Sequence, residues 1–324
     1  MDKLTYVNPV TDTTNYYEDQ KELIEKAKQV SENKLEQLIY FVSCLIHEGY
    51  EPEFIIKIMI PANRDVEIIL PIIEDSDYFG YYVSWGDELY PEHNVSTHKY
   101  KKQDINKTYT IKFFGMNITG FGKSTVSTED FQNYLISVVS FGILGYKFTS
   151  LSNAFITSAN NFTVPNYLPS NITNISSMFS WCNRFNQPLN HWNTSNITNM
   201  ENTFGCCFDF NQSLDNWDVS NVINMSSMFC YCFKFNSMLS NWNVSQVINM
   251  SSMFYSCNRF NQPLNNWDVS NVMNMNAMFY NCTDFSQSLD NWNVSAITNV
   301  FCMFDKCDNF KAPFDKWNNK KIEL

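Results

Sequence analysis

The sequence predicts an α+β multidomain chain, with N-terminal helices, a β-sandwich and a solenoid of 25-residue turns. Three observations predict it. Tryptophan recurs as Trp192, Trp217, Trp242, Trp267, Trp292 and Trp317, a step of 25 without a slip. Upstream, short apolar runs alternate with polar turns between residues 54 and 115. The first fifty residues carry apolar side chains at helical spacing.

In segment 1–50, Leu23, Ile24, Ala27 and Val30, then Leu38, Ile39, Val42, Leu45 and Ile46, lie on helix faces interrupted near Ser31-Glu32-Asn33. Gly49 and Pro52 mark the stop, because neither continues a helix well. The expectation is a helical hairpin or a bent helix that packs on its neighbour or on a partner. Segment 51–123 holds "FIIKIMI", "VEIILPI", "YYVSWGD" and "TYTIKFFG", four strand-like runs bounded by turn residues. Segment 124–169 repeats the downstream pattern only loosely, with Tyr167 in the tryptophan register, and is expected to cap the stack.

Segment 170–324 is the solenoid. Cysteine keeps the same step at Cys182, Cys207, Cys232, Cys257, Cys282 and Cys307, and phenylalanine keeps it twice, from Phe179 and from Phe185. Equal spacing means that each turn has the shape of the last, so identical side chains stack and bury a face that one turn could not bury alone. Within a turn, Asn274 reads as an N-cap, and Met275, Met278, Phe279 and Cys282 follow at i, i+3, i+4 and i+7, one face of a short helix. Phe285 to Leu289 reads as a strand of two to four residues, kept short because Pro188 and Pro263 occupy its interior in other copies. Gln187, Gln212, Gln262 and Gln287 would then point inward and need partners or a bulge.

The bulk composition narrows the function. A net charge of −11 argues against nucleic acid, whose phosphates need clustered Lys and Arg, and against an anionic membrane surface. No apolar run is long enough to span a bilayer, and the N-terminus lacks a secretory h-region, so membrane insertion and secretion by a signal peptide are not expected. The ten cysteines are accordingly read as thiols of a reducing compartment.

No catalytic, cofactor or metal site is expected. Cys206, Cys207, Cys230 and Cys232 gather thiols on two turns, but no C-x-x-C pair occurs, and one cysteine per turn is a packing ladder. His47, His93, His98 and His191 are scattered; His98 is read as structural and Asp87 as a turn residue. "GFGKST" (Gly120 to Thr125) lacks the spacing of a phosphate loop. The remaining repeated surface chemistry is amide: Asn186, Asn211, Asn236 and Asn261 form the candidate binding surface, for protein or for glycan.

The unit "FNQPLNNWDVSNVMNMNAMFYNC" resembles the 25-residue repeat of BspA-like leucine-rich-repeat proteins, over residues 170 to 322 without a gap. That repeat is abundant in mycoplasma lipoproteins and recurs in giant DNA viruses. Trp85-Gly86-Asp87, His98-Lys99-Tyr100 and Tyr109-Thr110-Ile111 occur in the order of PKD-like β-sandwich domains, with Glu88 where a glycine commonly follows the aspartate. The resemblance implies a leucine-rich-repeat-like solenoid and a non-enzymatic scaffold for protein–protein recognition. Two alternatives stay open: a structural, virion or self-assembling component that associates through the C-terminal coil, and a carbohydrate-binding adhesion protein. The asparagine- and lysine-rich vocabulary suits a giant virus or a parasite, and the absent leader makes the expected setting the cytoplasm, the host's if viral, or the virion.

Overall fold

A computed structural model describes residues 53–74, 80–88, 90–115, 118–122, 131–142, 148–158 and 161–311. The helices expected over 1–50 and Trp317 lie outside them.

Nine strands form among the described residues: β1 (Phe54–Ile60), β2 (Val66–Ile69), β3 (Ile72–Glu74), β4 (Tyr81–Ser84), β5 (Glu92–His93), β6 (Thr97–Tyr100), β7 (Lys107–Gly115), β8 (Ile118–Phe121) and β9 (Leu135–Ser140). β1 shows why: Phe54, Ile56, Ile58 and Ile60 are buried while Lys57 and Met59 face outward, the period of two that fits a sheet with one covered face. A five-stranded sheet runs β5-β4-β7-β1-β9, and β2 pairs with β6 and β3 with β8. β1 and β7 are antiparallel, with Phe54 opposite Phe113 and their rings stacked 4.7 Å apart. β9 lies within the stretch expected as capping turns; it pairs with β1 through two register shifts and closes that side of the sheet.

From Ser150 onward the chain winds in coils. Parallel bridges join Ser150 to Asn174 and then Asn199, Asn224, Asn249, Asn274 and Asn299, each to the next. The α+β class is corrected here: among the described residues the only helical element is a 3-10 turn at Phe131–Asn133, and everything else is strand or turn. Met275, Met278, Phe279 and Cys282 are buried as the helical spacing requires, yet they do not lie on a helix. Ala277 and Asn281, four residues apart, sit at φ 51° and 58°, in the left-handed region that no α-helix contains.

The hydrogen bonds explain the choice. The amides of Met275, Ala277, Phe279 and Asn281 donate to the carbonyls of Asn299, Phe301, Met303 and Asp305 on the following coil, at 2.8–2.9 Å. The alternate amides, of Met278, Tyr280 and Cys282, close four-residue turns back onto Met275, Ala277 and Phe279. Eight residues make a marginal helix. Alternating the donors instead leaves no amide unpaired and ties each coil to the next. The extended piece Phe285–Leu289 pairs with no strand, which is why Pro188 and Pro263 are tolerated at its exposed positions.

The sheets are the first rung of the stack. Gly120 of β8 bridges Ser150 in parallel, Ser137 of β9 bridges Thr163, and the Phe121 amide donates to the Ser150 carbonyl at 3.1 Å. Gly122, at φ +137°, donates to the Pro71 carbonyl, and a Cβ there would stand 1.7 Å from the Ser152 oxygen, so the close approach of the two parts requires glycine. Tyr167, in the tryptophan register, ties its hydroxyl to Ser140 Oγ and the Phe141 amide, both at 3.1 Å. Phe141 in turn meets Trp192 at 6.0 Å, so one apolar core runs from Phe54 through the coils to Cys307.

Candidate functional site

The repeated side chains fall into inward and outward files. Trp192, Trp217, Trp242, Trp267 and Trp292 are buried, and neighbours stack nearly parallel: Trp192 and Trp217 stand 6.3 Å apart at 2°, Trp242 and Trp267 6.4 Å apart at 4°. Burial would strand each indole N–H, so each donates backward to a main-chain carbonyl: Trp217 to Leu189, Trp242 to Leu214, Trp267 to Leu239 and Trp292 to Leu264, at 2.8–3.0 Å. Phe204, Phe229, Phe254 and Phe279 form a second file at 5.5–5.8 Å, and each lies on its own coil's second phenylalanine at 4.0–4.4 Å.

The cysteine file is an internal hydrogen-bond ladder. Cys182, Cys207, Cys232, Cys257 and Cys282 are buried, and their thiols donate to the carbonyls of Phe155, Phe179, Phe204, Phe229 and Phe254 at 2.9–3.1 Å. Cys307 donates to Cys282. Burial pushes these thiols up, Cys307 to about 12, which keeps them protonated donors.

The amide file read as the binding surface serves the stack first. The Oδ1 atoms of Asn186, Asn211, Asn236 and Asn261 accept the backbone amides of Asn211, Asn236, Asn261 and Ser286 on the next coil, at 2.8–3.0 Å. Gln212, Gln262 and Gln287 do not point inward; they reach back to the same oxygens of Asn186, Asn236 and Asn261. Gln187 is the exception in partner, exchanging two 2.7 Å bonds with the Val164 backbone. Asn274 accepts a hydrogen bond as a cap would, but from the Asn276 amide, an Asx turn repeated at Asn224 and Asn249. Asp218 and Asp268 hold similar turns, and the Ser220 and Ser270 hydroxyls and amides keep both carboxyls below the usual range. Asp209 and Lys234 on adjacent coils pair at 2.6 Å.

The outward file that sequence reasoning missed is apolar. Ile223, Ile248 and Met273 are 47%, 44% and 49% exposed, with successive backbone amides donating one coil back at 2.9 Å. They stand about 5 Å apart, the spacing of parallel neighbours. Thr198 and Thr298 continue the file at either end. The available signal was an apolar residue directly after the buried valines Val222, Val247 and Val272, a place where an alternating chain must turn outward.

In the sheets, Asp87 and His98, read from the sequence as a turn residue and a structural histidine, come together. His98 stacks on Trp85 at 5.0 Å, its Nε2 lies 3.1 Å from the Asp87 carboxylate and its Nδ1 3.7 Å from Glu88. Ligand atoms of these three residues fall within 4.8 Å of one another, the one such group among the described residues. The two carboxylates face opposite nitrogens of the His98 ring. Both Glu88 oxygens are shielded without a hydrogen bond, and burial raises that carboxyl. The Tyr100 hydroxyl donates to the Trp85 carbonyl at 2.7 Å. No described helix is long and apolar enough to cross a membrane.

Residues 149–262 and 234–324 match a family described as "Mycoplasma protein of unknown function, DUF285". No curated protein and no solved structure matches the chain.

Proposed function

Because the chain belongs to the DUF285 family, whose matches cover more than half of it, we propose that it is a non-enzymatic repeat scaffold that recognises a protein partner through its coils. The observation that carries this reading is the file Ile223, Ile248 and Met273: apolar side chains half open to water, in register on adjacent coils. Isolated exposed apolar residues are ordinary, whereas a contiguous strip suits a protein contact. The Asn211, Asn236 and Asn261 amides lend directional donors, since stacking uses their oxygens and leaves Nδ2 without an acceptor among the described residues.

We read the coils as BspA-like, leucine-rich-type repeats and the preceding sheets as PKD-like, on the strength of the Trp85, His98, Tyr100 cluster. Catalysis, a cofactor and a nucleic-acid partner form no part of this reading, and its setting is the cytoplasm or a virion.

The test is affinity capture with the full chain, wild type against an Ile223→Glu/Ile248→Glu/Met273→Glu variant of equal thermal midpoint. A protein retained by the first and lost by the second supports the proposal. Equal capture removes the apolar file from the contact. Recovery of this chain alone hands the lead to the self-assembling component, and glycan-array binding to the adhesion reading.

A further inference from the structure

Three described cysteines stand outside the buried file, Cys206, Cys230 and Cys302, and the first two are neighbours. The Cys206 amide donates to the Cys230 carbonyl of the next coil at 2.6 Å. Cys230 stands one residue out of register with Cys206, which puts the α-carbons roughly 5–6 Å apart, inside the roughly 4.4–6.8 Å span that a disulfide bridges. The same register one coil on holds Tyr231 and Tyr255, whose main-chain bond is 2.7 Å and whose rings meet at 5.2 Å. Side chains at these two positions lean together. Each thiol of the buried file donates to a backbone carbonyl, whereas among the described residues the sulfurs of Cys206 and Cys230 donate to none. Cys230 is half-buried, and so reachable by a small reagent, while Cys206 is buried.

We propose that Cys206 and Cys230 form an oxidative modification site, at which a low-molecular-weight disulfide converts two thiols into a covalent staple between adjacent coils. The Cys230 thiolate attacks the reagent disulfide, forms a mixed disulfide and releases one thiol. The Cys206 sulfur then attacks the Cys230 sulfur, forms the protein S–S bond and releases the second thiol. Two electrons pass from the protein sulfurs to the reagent, and the two cysteine protons end on the released thiols. Burial raises both thiols, Cys230 to about 12, so the reaction draws on a small thiolate fraction and proceeds slowly. Cys207 and Cys232, one and two residues along the chain from the pair, face the core and are engaged with Phe179 and Phe204, so they do not compete.

The experiment treats the folded full chain with oxidised glutathione, then blocks remaining thiols and maps peptides by mass spectrometry without reduction. The expected result is the loss of two hydrogen masses, one linked pair joining the Cys206 and Cys230 peptides, and a thermal midpoint raised by several degrees that dithiothreitol reverses. Cys206→Ser should leave a glutathione adduct on Cys230 and no link; serine already occupies the equivalent position at Ser256. An unchanged mass, a wild-type adduct that never resolves, or a link between other cysteines overturns the proposal. Because the wild-type map alone decides it, a variant that folds poorly does not protect it.

Discussion

At the scale of single residues, each coil is shaped by two left-handed positions that carry no glycine. Ser177, Asn202, Ser227, Ser252, Ala277 and Cys302 hold one; Trp181, Cys206, Tyr231, Ser256, Asn281 and Lys306 hold the other. A side chain there is strained by about 1–2 kcal/mol, which the cross-coil hydrogen bonds offset. Ser252→Gly is therefore expected to stabilise the protein by a few tenths to about 1 kcal/mol, since glycine relieves that strain at a smaller entropic cost. Chemical denaturation measures it. A loss of about 1 kcal/mol would be the response of a helix interior and would contradict the turn geometry. The same positions explain what could not be read beforehand: Met275, Met278, Phe279 and Cys282 show which side chains go inward, but a run of three four-residue turns buries the same spacing as a helix. With serine, alanine and cysteine at the left-handed positions, nothing in the spelling separates the two.

At the scale of elements, the decisive contact is where β8 meets the first coil. Gly122→Ala would drive a methyl group into the Ser152 carbonyl in a backbone region closed to alanine, and a cost of at least ~2 kcal/mol is expected. A thermal midpoint within a degree of wild type would mean that the junction is looser than these distances. The strands β1, β2, β4 and β7 were legible as apolar runs bounded by turn residues. The role of β9 was not, because "LISVVS" reads equally as a degenerate turn and as a strand, and only its pairing with β1 distinguishes them. The Asn186, Asn211, Asn236 and Asn261 file was legible by spacing, whereas its use in stacking depends on which atom meets which amide, information that a one-dimensional pattern does not contain.

At the scale of the whole molecule, one core runs from sheet to coils, and each coil touches only its two neighbours. Stability in such an array is greatest where both neighbours are present and falls toward a free end. Amide exchange should accordingly be slowest at Phe229 and Phe254, which donate across the middle of the stack, and faster at Cys307 and Phe310, which close local turns in the last described coil. Uniform protection along the coils would instead mean that they open as one unit. The sheets protect the opposite end, so Phe179 should exchange like a central residue. The unbroken bridge from Ser150 to Asn299 also has a hereditary consequence. A tandem duplication of one repeat's coding length adds a rung and leaves every file aligned, whereas an insertion of another length must bulge from one coil as a loop or break the stack there. Replication slippage in this gene is therefore filtered by the protein itself, and surviving alleles that keep the files aligned should differ by whole coils.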